Sequence, residues 1–134
     1  MKNKFITFEG VDGVGKTTQI DLFLKKIKEN NFNYDLFREP GGTNLSEKIR
    51  DILLNNDSNI ADITETLLFL TARSDLVNKK IKPKLHKGDS YVVCDRFLDS
   101  TLAYQSFGRG IDLKLIQDIT NIVVGDAIPS TTFL

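Results

Sequence analysis

The 134-residue chain balances 18 Lys plus Arg against 18 Asp plus Glu, with 40% hydrophobic and 27% charged residues. That is the composition of one ordinary globular domain, and its zero net charge argues against a large non-specific grip on nucleic acid. Cys94 has no second cysteine to pair with, and no apolar run approaches the ~18 residues that a membrane-spanning helix needs, so a soluble, cytoplasmic protein is expected.

Residues Met1 to Lys4 lead without an apolar leader segment into Phe5, Ile6 and Phe8, a short run closed by Glu9-Gly10 that reads as a buried strand. A glycine-rich loop follows. Ile20, Leu22, Phe23, Leu24 and Ile27 then recur at helical spacing up to Asn30-Asn31. Tyr34 to Arg38 reads as a second strand, stopped by Pro40-Gly41-Gly42. Leu45, Ile49, Ile52 and Leu53 predict a helix capped by Thr43 or Asn44. A further helix is expected from Ile63 to Lys80, a third strand from Ser90 to Cys94, and helical stretches over Ser100 to Phe107 and Leu113 to Val124. Thr131 to Leu134 reads as the start of a fourth strand.

Strands alternating with helices predict an α/β fold with a mostly parallel sheet, whose ligands gather at the carboxyl ends of its strands. Three polar clusters fall there: Gly10 to Thr18, Arg38 to Gly42, and Asp95-Arg96.

The first cluster, Gly10-Val11-Asp12-Gly13-Val14-Gly15-Lys16-Thr17, fits the G-x-x-x-x-G-K-[ST] phosphate loop, with a strand before it and a helix after it. Glycines let successive backbone N–H groups turn inward around a phosphate, where a Cβ would obstruct the approach. The helix starting near Lys16 adds the positive end of its dipole. In this motif Lys16 reaches the β and γ phosphates, the Thr17 hydroxyl ligates Mg²⁺, and Thr18 offers another hydroxyl. Tyr91-Val92-Val93-Cys94-Asp95 supplies an apolar strand ending in a carboxylate. Asp95 holds the metal, directly or through water, or else caps the following segment. Cys94 reads as a small buried strand residue.

A GTPase would carry an Asn-Lys-x-Asp element after a strand. Here Asn78-Lys79 is followed by Lys80 and Ile81 within a helical pattern, which excludes that reading. Ile63, Leu67, Leu70, Val77 and Ile81 form one stripe at ~100° per residue, the expected core face of their helix. Phe69 and Arg73, four apart, stack together about a quarter-turn from it. They suit either a ring platform with a hydrogen-bonding fork, or a secondary core contact beside a surface ion pair.

The chain resembles the thymidylate kinase family. The resemblance rests on Phe8 to Gln19, Arg38-Glu39-Pro40-Gly41-Gly42-Thr43, Leu67 to Arg73, Asp95-Arg96-Phe97, Ser100 to Gln105 and Gly108-Arg109-Gly110-Ile111, in family order. It implies a single P-loop nucleoside monophosphate kinase domain over residues 1–134, phosphorylating dTMP to dTDP with ATP and Mg²⁺ on the way to dTTP for DNA synthesis. It implies that Gly10 to Thr18 take the ATP phosphates, and that Phe69 stacks on thymine while Arg73 bonds its edge. Thr101 and Gln105 also face the pyrimidine, and Tyr104 packs on the deoxyribose. Arg38, Arg50 and Arg96 become candidates for the acceptor phosphate, where a guanidinium makes bidentate contacts. Arg50 reads equally as an exposed helix ion pair. Asp12 and Glu39 fall between donor and acceptor. Lys16, Arg96 and Asp12 are the expected catalytic residues, and Thr17 and Asp95 the metal ligands. His86 and the basic run Lys79 to Lys87 read as a solvated helix face.

Within the family a catalytic arginine sits either in the phosphate loop, where this chain has Gly13, or in a lid after the fourth strand. The resemblance therefore implies the second, bacterial branch. It also implies a C-terminally truncated chain that lacks the lid, the last strand and the final helices, with little or no turnover of its own. Family members are homodimers through helices beside the sheet. The other readings are a different nucleoside monophosphate kinase, or a nucleotide-binding module without phosphoryl transfer.

Overall fold

Four short parallel strands carry the fold, in the spatial order β2-β3-β1-β4. The computed structural model describes residues 4–55, 57 and 59–134, so Met1 to Asn3 of the expected leader-free start lie outside the described residues. The strands are β1 (Phe5–Phe8), β2 (Asn33–Arg38), β3 (Ser90–Asp95) and β4 (Thr131–Phe133). The helices are α1 (Lys16–Glu29), α2 (Asn44–Leu54), α3 (Asp62–Leu76), α4 (Lys82–Lys87), α5 (Leu98–Thr101) and α6 (Leu113–Val124). The strand-helix alternation is thus the α/β, P-loop-type sheet expected from the sequence.

β1 is buried at every residue, because it pairs on both edges and is covered on both faces. Ile6 and Phe8 pack with Val93 against Ile20, Leu24 and Ile27 of α1. Phe5, on the opposite face, joins Val92, Cys94, Leu76, Val77, Ile81, Phe97 and Val124. The alternation of strand side chains thus divides the apolar residues between two cores. Cys94 is fully buried among apolar neighbours, and that burial pushes its thiol well above the ordinary range.

Several boundaries differ from expectation. The helix predicted to run from Ile63 to Lys80 is α-helical only to Leu76; a π-helical turn covers Val77–Ile81, and α4 continues from Lys82. Pro83 lies in the first turn of α4, and its missing N–H interrupts the regular hydrogen-bond ladder there. A second π-helical segment, Leu102–Gly108, follows α5, which starts at Leu98 rather than Ser100.

The expected core stripe of α3 divides. Leu70, Val77 and Ile81 are buried, but Ile63 is 43% and Leu67 46% exposed. The buried face is rotated towards Thr66 and Arg73, polar residues whose partners across the fold make burial affordable. Likewise Leu45 and Ile52 of α2 face outward, while Ser46 is buried because its hydroxyl donates to the Ala72 carbonyl at 2.7 Å. Leu22 of α1 is also exposed. Thr43, not Asn44, caps α2: its side-chain oxygen accepts the Ser46 amide at 3.0 Å.

The register aligns the strand ends. Phe8 of β1 and Arg38 of β2 are both partners of Asp95 in β3. The three polar clusters that begin at or just after these residues therefore meet at the carboxyl end of the sheet.

Candidate active site

The phosphate loop bridges β1 and α1. Gly13 and Gly15 hold φ of 81° and 87°, a region a Cβ disfavours. Gly15 is the residue before α1, and no side chain caps the helix. The first-turn amides, which lack intrahelical acceptors, are thus free of a competing protein cap. Val11, Asp12, Gly13, Gly15, Lys16 and Thr17 line a cavity of about 370 Å³ together with Arg38, Glu39, Arg50, Asp95 and Arg96. Gly10, Val14 and Thr18 shape the same turn without lining that cavity. Lys16 Nζ pairs with the Asp95 carboxylate across the mouth of β3.

Beside it lies a second, more apolar cavity of about 320 Å³, lined by Phe69, Arg73, Phe97, Thr101, Tyr104, Gln105, Pro40 and neighbours. Arg73 is 4% exposed, so the surface ion pair considered for it is not what the chain builds. Its Nε donates to both Glu39 oxygens at 3.0 and 2.8 Å, and Nη2 donates to Glu39 Oε2 at 2.5 Å. Nη2 also donates to the Phe97 carbonyl at 2.7 Å and to the Thr101 hydroxyl oxygen at 2.8 Å. Nη1 is buried and has no hydrogen-bond partner among the described residues. Burial pushes the Glu39 carboxyl upward, against the opposing pull of Arg73. The Gln105 amide is held from behind, its oxygen accepting the Thr66 hydroxyl at 3.2 Å and its nitrogen donating to Glu65 at 3.3 Å.

The cations expected at an acceptor phosphate are each fastened. Arg38 donates to Glu47 at 3.0 Å. Arg50 donates to the Pro40 carbonyl at 2.9 Å, so the exposed ion pair considered for it does not form. Arg96 donates to Asp12 at 2.7 Å, with its guanidinium carbon 5.7 Å from the Tyr104 ring centre. Asp12, Glu39, Arg50 and Arg96 line both cavities, so the two spaces adjoin across them. The cavity lined by the phosphate-loop residues thus has an aromatic-walled cavity next to it, with arginines at the junction.

The family model described as thymidylate kinase matches residues 8–134. The chain belongs to the thymidylate kinase family. It is 46% identical over 134 residues to the thymidylate kinase of Carboxydothermus hydrogenoformans, covering all of this chain and 66% of that protein. With the thymidylate kinase of Wolbachia pipientis wMel it shares 52% identity over 122 residues, 89% of this chain and 60% of the relative. The crystal structure of thymidylate kinase from Ehrlichia chaffeensis superposes with a TM-score of 0.87 at 44% identity, over 96% of this chain and 71% of that one. The chain thus spans less than two-thirds of the length of these curated relatives.

Sequence reasoning missed three carboxylates. Glu9 is buried and binds the β3–α5 connection. Glu47 accepts the Gly42 amide at 2.9 Å as well as Arg38, and these contacts, the Gly42 amide foremost, hold its carboxyl below the ordinary range. Glu65 fixes Gln105 and meets Arg109 at 3.4 Å. The position of Glu47 in the first turn of α2 signalled only a favourable charge at a helix start. The basic run behaves as a solvated face: Lys79, Lys84, Lys87 and His86 meet Asp75, Asp35, Asp89 and Asp126.

Proposed function

We propose that the protein transfers the γ-phosphoryl group of ATP to dTMP, giving dTDP. The observation that carries this reading is the pair of adjoining cavities, which share Asp12, Glu39, Arg50 and Arg96. Phosphoryl transfer to an oxygen that is already part of a phosphate needs little general-base help. It needs two anionic groups aligned, and their charge neutralised. The phosphate-loop amides and Lys16 take the donor phosphates, with Lys16 released from Asp95 as they bind. Arg96, supported by Arg38 and Arg50, takes the acceptor phosphate, where a guanidinium fork matches two oxygens. Asp12 leaves Arg96 to that phosphate and, with Glu39, faces the sugar. Phe69 stacks on the base, the unpartnered Nη1 of Arg73 donates to its edge, and Thr101 and Gln105 complete the polar rim. Tyr104 lies against a ribose position where a 2′-hydroxyl would crowd the ring.

The family implies a divalent cation. Thr17 and Asp95 line one cavity with hard oxygen donors, which suit Mg²⁺. No group of three His, Cys, Asp or Glu side chains that could hold a metal gathers among the described residues. Thr17 and Asp95 would hold the ion, with water and phosphate oxygens completing its shell. Bound Mg²⁺ supplies charge neutralisation on the donor phosphates. Cytoplasmic residence belongs to the same reading, supported by the unpaired, buried Cys94. So does a homodimer, supported by Ile63 and Leu67, apolar yet exposed on α3; among the described residues no helix is long and apolar enough to cross a membrane.

ADP release measured with MgATP and dTMP, dUMP, dCMP or dGMP tests the assignment. Any release is expected to depend on dTMP and to exceed that with the other acceptors, and dTMP is expected to bind more tightly than dUMP, dCMP or dGMP in calorimetry. Preference for dGMP, or calorimetric binding of ATP with none of dTMP, would overturn it.

A further inference from the structure

Glu9 follows β1 and lines neither cavity, yet its carboxylate is buried and fully engaged. Its Oε1 accepts the amide of Phe97 at 2.7 Å and that of Asp99 at 3.2 Å, and its Oε2 accepts the Ser100 hydroxyl. These donors belong to the first turn of α5 and the residue before it, where a helix leaves its amides without internal acceptors. No side chain of the local segment caps them. A carboxylate delivered from the next strand does so instead, with the charge that a helix start favours.

The consequence falls one residue earlier. Arg96 has φ 67°, a left-handed conformation that a non-glycine residue keeps only where its surroundings fix it. Its own amide donates to the Phe8 carbonyl at 2.8 Å, and the next amide, that of Phe97, donates to Glu9. Both peptide N–H groups around the left-handed turn are therefore pinned to consecutive residues, Phe8 at the end of β1 and Glu9 just after it. Arg73 fastens the Phe97 carbonyl from the other side at 2.7 Å.

We infer that Glu9 is a positioning residue for acceptor binding: by clamping Phe97, Asp99 and Ser100 it holds the Arg96 backbone in the turn that aims its guanidinium between the two cavities. It also sets the start of the helix bearing Thr101 and, beyond it, Tyr104. This inference rests on the proposed function and deepens it. Glu9 touches no substrate; it acts through Arg96. Its carboxylate bonds no group of the phosphate loop, so its loss falls first on the acceptor side.

The test is Glu9→Gln, which keeps the side chain's shape while removing its charge and one acceptor. Titration calorimetry with dTMP and with ATP is paired with amide hydrogen exchange read by NMR. Loss of charge roughly halves the strength of such hydrogen bonds, so dTMP is expected to bind about fivefold more weakly, with ATP affinity held within about twofold. Exchange at Phe97 and Asp99 accelerates while the strand amides of β1 and β3 stay protected. Equal weakening of both nucleotides indicates a merely structural residue and overturns the inference. Unchanged dTMP binding overturns it too, as does unchanged exchange. If the unaltered protein binds ATP but no dTMP, the proposed function itself falls; if it binds dTMP and Glu9→Gln binds it equally well, only the role of Glu9 does.

Discussion

Arg73 and Glu39, 34 residues apart in sequence, form a buried pair in which Nε and Nη2 grip both carboxylate oxygens. That grip fixes the guanidinium plane and leaves Nη1 as a buried donor without a partner among the described residues, on a residue that lines the apolar cavity. An unsatisfied buried donor costs about 1–3 kcal/mol, a cost that a ligand acceptor group can relieve.

Two substitutions separate the pair's structural and recognition roles. Arg73→Ala leaves the Glu39 carboxyl buried without its cation and is expected to cost about 3 kcal/mol in urea denaturation. Arg73→Lys keeps a cation for Glu39 but removes the fork and the free donor. It should weaken dTMP about tenfold, the scale of one hydrogen bond from a charged donor, while ATP changes little. Equal loss for both nucleotides in calorimetry would contradict a base-reading role.

Lys16→Ala is expected to act in the opposite sense. It removes the cation that the donor phosphates would recruit from Asp95, so ATP affinity should fall by about tenfold or more while dTMP affinity is kept. A parallel loss of dTMP binding would show that the two cavities are not separable.

Gly42→Ala should destabilise the fold by about 2 kcal/mol. The residue has φ 91°, and an added Cβ would come within 2.6 Å of Leu76 Cδ1, at the buried seam between the β2–α2 loop and α3. Chemical denaturation measures the change. A neutral result would mean that the loop can shift without loss.

The Glu47 contacts make stability depend on pH on the acid side. Its folded carboxyl titrates below the ordinary value of 4.5, chiefly through the Gly42 amide and further through Arg38. A depressed carboxyl contributes stability that is fully present above its unfolded value and is lost as pH falls through the lower, folded one. Glu47→Gln should therefore lower Tm at pH 7, and the gap from the unaltered protein should narrow as pH falls below the ordinary carboxyl value. A gap that stays constant from pH 7 to pH 3 would argue against it.

Much of this molecule was legible from local pattern. The phosphate loop could be read because its chemistry lies within consecutive residues, and Leu113 to Val124 emerges as α6 with the expected bounds. Parallel pairing and the convergence of the polar clusters followed from the alternation of elements, whereas the strand order β2-β3-β1-β4 did not. Apolar spacing misjudged α2 and α3, because Ser46, Thr66 and Arg73 turn inward to partners in other elements and rotate the buried face with them.

The amino-acid sequence by itself showed a phosphate-loop motif, which family the chain resembles and where most helices and strands lie, since these depend on neighbours within a few residues. Tertiary structure alone decided which carboxylate holds which cation. Glu39 with Arg73, Asp95 with Lys16, and Glu9 with the turn at Arg96 span 34 to 91 residues. Such pairs form only once parallel strands bring their carboxyl ends together, and a charge buried there is stable only beside the partner that the fold supplies.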